Sequence, residues 1–317
     1  METKPVLLVD AFADEVMGGV PIAVVPDEIT RSQLRAVASE LGTSGAVAPT
    51  QGGDHDLVYV ECDETQKFVE RNEAQRLVER NEAKTFVEGA IAGCSALIER
   101  ELIELGEQTM LVVDADGDER EVPVHINSDR YVAVTLADHE VTEASISLER
   151  LAPALGVDVA ALEDVATELP VGRTDAFGGT LFVPVTFLSH LTSSSPDRET
   201  LTAVLEETDT ARVCAFTFDT LGQRTHVHAR VFDPSVPGCE RAASGVAIAG
   251  AGRYFTQYGA FDAETAQVRV ECGYVLDRPG TVVATLGQTP EVGGTGLTVL
   301  DGTITVPEER DDDIVML

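Results

Sequence analysis

Tryptophan is absent from this 317-residue chain, and lysine nearly so: Lys4, Lys67 and Lys84 are three of 22 basic residues, the rest being arginine. No run of 18 apolar residues occurs, which argues against a spanning helix. The five cysteines (Cys62, Cys94, Cys214, Cys239, Cys272) are odd in number and include no Cys-x-x-Cys, so neither a disulfide framework nor a zinc site is expected. Basic charge is scarce: 22 Lys and Arg stand against 55 Asp and Glu, a net charge of −33. That charge repels polyanions and argues against nucleic acid and anionic membranes as partners. The acids are spread evenly, with only Asp311-Asp312-Asp313 clustered. This is what a high-salt cytoplasm favours, where self-repulsion is screened and hydrated carboxylates keep the chain soluble. Stability is therefore expected to rise steeply from low to molar salt, and a flat melting temperature would count against it. Met1-Glu-Thr-Lys-Pro5 runs straight into a strand with no signal peptide, so the expected location is cytoplasmic.

What is present reads as two lobes of strands and helices. Pro5–Phe12 and Ile22–Val25 are strands joined through Gly18-Gly19, a hairpin at its simplest. Thr30 with Gln33 makes a capping box for a helix whose stripe is Leu34, Val37, Ala38 and Leu41, ended by Gly42. Leu57–Val60 is a strand. Val69-Glu-Arg-Asn-Glu-Ala74 then recurs as Val78-Glu-Arg-Asn-Glu-Ala83, a tandem duplication with a nine-residue period. At about 100° per residue that step turns a helix by roughly half a revolution, so the copies share no helical face and read as a charged insertion. Ala90–Leu105 has helical spacing. Met110–Val113, Arg120–Ile126 and Tyr131–Leu136 are strands, and Leu148–Leu155 and Val159–Val165 are short helices. Thr180–Thr186 is a strand whose proline suggests an edge or a bulge. Ser195-Pro196 suggests a helix start, with Ser as N-cap and Pro at the first position. Val213–Phe218, Thr225–Phe232, Ala266–Cys272, Thr281–Leu286 and Leu297–Val306 complete the strands.

The stretch Asp233–Ala247 ends a strand, turns, and opens the apolar helix Val246–Tyr258, stopped by Gly259. A helix that begins there presents unpaired N–H groups, a ready anion site. Phe86–Ser95 is a weaker copy of the same arrangement. Two helices this apolar should be wrapped by sheet, each beginning after a glycine turn, at Gly89 and at Gly245.

At these residues the chain resembles the PhzF family, relatives of diaminopimelate epimerase and proline racemase. Val9-Asp-Ala-Phe12 with Gly19-Val-Pro-Ile-Ala-Val-Val25 resembles the family's VDAF…GNPAAVV. Leu34–Val47 resembles QAIAxELNLSETAF, Arg230–Pro234 resembles RxFAP, Glu240–Ala247 resembles EDPATGSA, and Glu271-Cys-Gly273 with Arg278-Pro279 resembles EQG…RPS. The resemblance spans nearly the whole chain and identifies it as a divergent member; the acidic charge adds the expectation of a haloarchaeal source. It implies an α+β fold of two pseudo-symmetric lobes, each a mostly antiparallel sheet wrapped around a central helix, with a cleft between them and a homodimer. The lobes are placed at 1–127 and 128–302. The duplication at 69–86 falls in the first, and residues 303–317 are expected to pair back onto it.

The resemblance also shows what has changed. The family's acid/base glutamate falls at Gly45, its histidine at Ala90, its aspartate at Arg241 and a serine at Val246; Val20 replaces the asparagine of Gly-Asn-Pro. Proton transfer at carbon needs a positioned group of suitable pKa. Glycine, alanine and valine offer none, and arginine stays protonated. The expected function is thus that of a PhzF-like, isomerase-family protein, catalytically degenerate, acting as a small-molecule-binding or structural paralogue. An active isomerase or epimerase on a small carboxylate, using relocated groups, is the alternative. The ligand-binding candidates are Gly89, Ala90, Glu240, Arg241, Ser244 and Gly245, with a small carboxylate as ligand. No cofactor and no metal are called for. Glu240 with Arg241 reads either as a carboxylate-binding pair or as a surface ion pair, and Ser244 as an anion contact or a plain N-cap. Cys94 and Cys239 miss the positions of a racemase thiol pair. His226 and His228 share a strand face without a third metal ligand. Asp175, Asp219 and Asp233 are acids able in principle to supply a new base, none of them singled out.

Overall fold

The computed structural model describes residues 2–50, 55–62, 85–166, 168–287 and 289–308. The first half runs β1 Glu2–Ala11, β2 Val20–Val24, the helix Arg31–Leu41, β3 Gly45–Pro49, β4 Leu57–Glu61, the helix Phe86–Glu99, β5 Gly106–Val113, β6 Glu119–Ile126 and β7 Val132–Thr135. After β8 Thr142–Glu143 and the helices Leu148–Leu155 and Ala160–Ala166, the second half runs β9 Gly172–Thr174, β10 Thr180–Pro184, the helices Leu188–Ser193 and Arg198–Thr208, and β11 Arg212–Thr217. It continues through β12 Val227–Phe232, β13 Glu240–Arg241, the helix Gly245–Tyr258, β14 Gln267–Cys272, β15 Gly280–Thr285, β16 Glu291–Gly294 and β17 Gly296–Val306.

The ladders repeat. From β1 to β7, successive pairings are antiparallel, parallel, antiparallel, parallel, antiparallel, antiparallel. The series β9, β10, β11, β12, β14, β15, β16 has the same order of signs. The two series meet where β7 pairs antiparallel with β16. In each, a long buried helix lies on the connection between two parallel neighbours: Phe86–Glu99 between β4 and β5, and Gly245–Tyr258 between β12 and β14. This is a mixed α+β fold of two pseudo-symmetric lobes around two central helices. β17 returns to β1 along its length, from Gly296 opposite Ala11 to Val306 opposite Glu2, so the pairing includes 296–302 as well as 303–306.

Period-two alternation explains the layers, because successive strand side chains point to opposite faces. In β2 and β3, Ile22, Val24 and Val47 face the central helices, while Ala23, Ala46 and Ala48 face the helix Arg31–Leu41. In β11, Cys214 and Phe216 face the centre, and Val213 and Ala215 the outer helices. Strands covered on both sides need no polar face, which is why β3, β4, β10 and β11 lack one and carry Glu61, Thr180, Arg212 and Thr217 only at their ends. The capping box holds: Thr30 Oγ1 accepts from Gln33 N, and Gly42 and Gly259 end their helices at φ of 69° and 63°. Among the described residues, no helix is long and apolar enough to cross a membrane.

Several expectations shift. The first central helix begins at Phe86 and ends at Glu99, not 90–105, so Leu102 and Leu105 are exposed beyond it and Gly89 lies inside it. The helix expected from Ser195-Pro196 starts at Arg198, because Asp197 is the better cap: its Oδ1 accepts from Thr200 N at 3.0 Å and Thr200 Oγ1 at 2.8 Å. Proline ends β10 without placing it at the sheet edge. β9 pairs only with Thr180 to Phe182, so Pro184 falls where that side of the strand is unpaired. The tandem duplication lies outside the described residues except for Thr85 and Phe86.

Candidate functional site

The N-termini of the two central helices meet. Each helix is 14 residues long and buried along most of its length, as its small, apolar composition requires. Their contact is close enough that a Cβ on Gly245 would lie 2.4 Å from Val87 Cγ1. Glycine is required there by the approach of the partner helix, not by its own dihedrals.

Glu88, the third residue of the first central helix, is fully buried at this junction. Its Oε1 accepts from Gly245 N at 2.8 Å, and among the described residues its Oε2 has no hydrogen-bond partner. Burial pushes its carboxyl up to about 7, against the opposing pull of the Gly245 amide, its own amide and the cations Arg241 and Arg212.

Beside the next residue, Gly89, packs Tyr59 of β4. A Cβ added at Gly45 would lie 2.2 Å from Tyr59 Oη, and one at Gly89 would lie 2.3 Å from the ring. One aromatic ring thus covers two glycines on different elements. Its hydroxyl hydrogen-bonds Thr85 Oγ1, which reaches Glu61 Oε1 at 3.4 Å. Ala90 and Val246 are buried in the same apolar core.

On the other side, Ser244 is an N-cap: its Oγ accepts from Ala247 N at 3.4 Å. Arg241 Nε donates to Asp233 Oδ2 at 2.8 Å, and Asp233 Oδ1 accepts from Ser235 N at 2.9 Å. Arg212 is completely buried; its Nη2 donates to Phe177 O at 2.8 Å, while among the described residues its Nε has no hydrogen-bond partner. Glu240 and Arg241 are paired neither with each other nor on the surface. Glu240 takes a bidentate bond from Arg230, at 2.9 and 2.6 Å, and Arg230 Nη1 also donates to Leu191 O and Ser194 O. That buried pair fixes the chain before the second central helix.

The structure brings Gly45 and Gly89 together through Tyr59, and Ser244, Gly245 and Arg241 together at the second helix end; Glu240 belongs to a separate structural pair. Cys94 and Cys239 are buried, with thiols held above their ordinary range by desolvation. Glu271 accepts from His228 Nδ1, Leu221 N, Gly222 N and Thr225 Oγ1, which ties down residues 221–225. Among the described residues no cluster of acids, histidines and cysteines could hold a metal ion. Sequence reasoning missed Glu88, Tyr59 and Arg212. A lone acid in the apolar run Phe86-Val-Glu-Gly-Ala-Ile-Ala was the available signal for Glu88; Tyr59 and Arg212 gave none.

Fold and site together define a scaffold of two repeated lobes whose central helices meet at their N-termini. Residues 89–302 match the sequence profile of PhzC-PhzF, the phenazine biosynthesis-like proteins, and the chain belongs to that family. It is 26% identical over 320 residues to the uncharacterised isomerase YfhB of Bacillus subtilis (strain 168), covering 98% of this chain and 99% of that one. In fold it is similar to a PhzF-family phenazine biosynthesis protein of Bacillus anthracis, with a TM-score of 0.75 and 22% identity over 96% of this chain and all of that one. It is also similar to a predicted epimerase of Pseudomonas aeruginosa, with a TM-score of 0.66 and 16% identity over 95% of this chain and 99% of that one.

Proposed function

We propose that this chain is a PhzF-like protein that no longer carries out proton transfer at the family's positions, and that it serves as a small-molecule-binding or structural paralogue. The observation that carries this reading is the Tyr59 ring, which takes the space any side chain at Gly45 would need. A side chain at residue 45 would enter the space of the Tyr59 ring, which would have to move. The positions of Ala90 and Val246 are occupied by apolar groups that hold no proton, and Arg241 is engaged by Asp233. The chain is read as a cytoplasmic homodimer; sedimentation at molar salt measures its state, and a monomer would remove that part of the reading.

One observation favours the alternative of a relocated group. Glu88 has a carboxyl raised to about 7 at the meeting of the helix ends, a suitable value for a general acid or base. Incubation in D₂O with a panel of amino acids and small carboxylates, followed by mass spectrometry, separates the two readings. No exchange at the α-carbon is expected from the wild type. Exchange that is lost in Glu88→Gln would establish an active isomerase and sink the degenerate reading.

A further inference from the structure

We propose that the free edge of β17 is the surface through which two copies of this chain join, β17 lying antiparallel beside β17 about a two-fold axis near Thr303, so that one sheet runs through the dimer. This rests on the homodimer reading above and gives it a surface.

Followed from partner to partner, the sheet has two ends: β8, of two residues, and β17, of 11. Among the described residues β1 is the one strand that pairs with β17. The Gly296 amide is taken by Ser95 Oγ at 2.9 Å; beyond it, among the described residues, no loop or side chain bonds the backbone of 297–306. A strand with one neighbour turns every second N–H and C=O away from its ladder, and that row is a template for another strand. No residue from Leu297 to Thr305 is buried. Edge strands are commonly kept single by shortness, proline, lysine or a bulge. Residues 296–306 contain no proline and no lysine. The register shift, at Leu8/Val9, precedes Leu300, and the one charge, Asp301, is paired with Arg100 Nη2 at 2.7 Å. Gly302–Val306 then carries neither charge nor shift.

Two features select a second copy as the occupant. The first is closure. A contact of β17 with β8 would run head to tail, and β8 is too short to form a ladder, whereas β17 on β17 closes after two copies. Self-pairing of Leu300–Val306 centres on Thr303. The second is charge. Two copies at −33 repel over most of their surface, so they approach most closely where charge is absent. This strip meets that condition: its acid is neutralised, Leu300 is 45% exposed, and its backbone hydrogen bonds require no counter-charge. A basic partner would be drawn to the acidic surface instead.

Sedimentation equilibrium in molar potassium chloride compares the wild type with the double variant Thr303→Lys, Thr305→Lys. Both threonines are exposed. The lysines make the chain less acidic, so general repulsion falls while like charges are set opposite each other at the edge. The wild type is expected to be a dimer, and the variant to keep the wild-type urea midpoint while its dimer dissociation constant rises about tenfold or more. Hydrogen exchange of the wild type decides without any variant, and does so even if the lysine chain fails to fold. Alternate amides of 298–306 should be protected at protein concentrations above the dissociation constant and released below it. A wild-type dimer whose amides there exchange alike at both concentrations, or whose folded lysine variant dissociates no more readily, overturns the β17 surface and leaves the homodimer standing through another face. A wild type that stays monomeric at every concentration overturns both.

Discussion

The two halves share one ladder pattern, yet their central helices begin in different ways. The second helix has a conventional start: Ser244 caps it, and the strand before it is fixed by the Arg230–Glu240 and Arg241–Asp233 pairs. The first has no side-chain cap; Thr85 points to Tyr59, and the acid of its first turn, Glu88, serves the other helix instead. One lobe is held by buried charge pairs, the other by an aromatic ring laid over two glycines. The same topology therefore survives two chemistries, because the sheet-wrapped helix needs only apolar bulk and closed backbone hydrogen bonds, whereas catalysis needs particular groups at the helix ends.

The comparison breaks most severely if the first lobe is given back a carboxylate. Gly45→Glu should cost about 3 kcal/mol or more in urea unfolding, since its Cβ collides with Tyr59. Tyr59→Ala in the same chain should recover part of that loss, a coupling of about 0.5–3 kcal/mol. Additive effects would show that Tyr59 does not fill the site.

The next effect is in pH. The Glu88 carboxyl is raised in the folded state from 4.5 to about 7, mainly by burial. The folded chain therefore holds this proton more tightly than the unfolded one. Its contribution is fully present below pH 4.5 and is lost as pH rises towards 7. The loss is of order 3 kcal/mol. Glu88→Gln should flatten that part of the stability profile, and a profile unchanged by the substitution would remove Glu88 as its source.

The smallest effect tests the asymmetry of the helix starts. Ser244→Ala should cost about 1 kcal/mol, the usual worth of an N-cap. A loss indistinguishable from zero would mean that the second helix, like the first, does not depend on a capping side chain.

Much of the framework was legible because it is encoded within a few residues. Period-two alternation marked most of the strands, Thr30 with Gln33 marked a helix start, and Gly42 and Gly259 marked helix ends. The boundary errors have the same local origin: Ala90–Leu105 has helical spacing, but its last turn lies outside the core, where spacing alone confers no stability. β16 went unread because Glu291–Gly294 is short and half glycine, and pairing with β7 and β15 is what makes it a strand.

By itself the sequence determined the alternation of strands and helices, their caps, and a family membership written in ordered motifs along nearly the whole chain. Only the tertiary structure decided how the site is filled. Glu88 and Gly245 are 157 positions apart, and Tyr59 reaches Gly45 and Gly89 across two further elements. Nothing local distinguishes a glycine left empty for a ligand from one left empty for a ring. The distinction arises when two lobes pack, burial removes the water that would have solvated a lone acid, and the nearest donor becomes the first amide of the opposite helix.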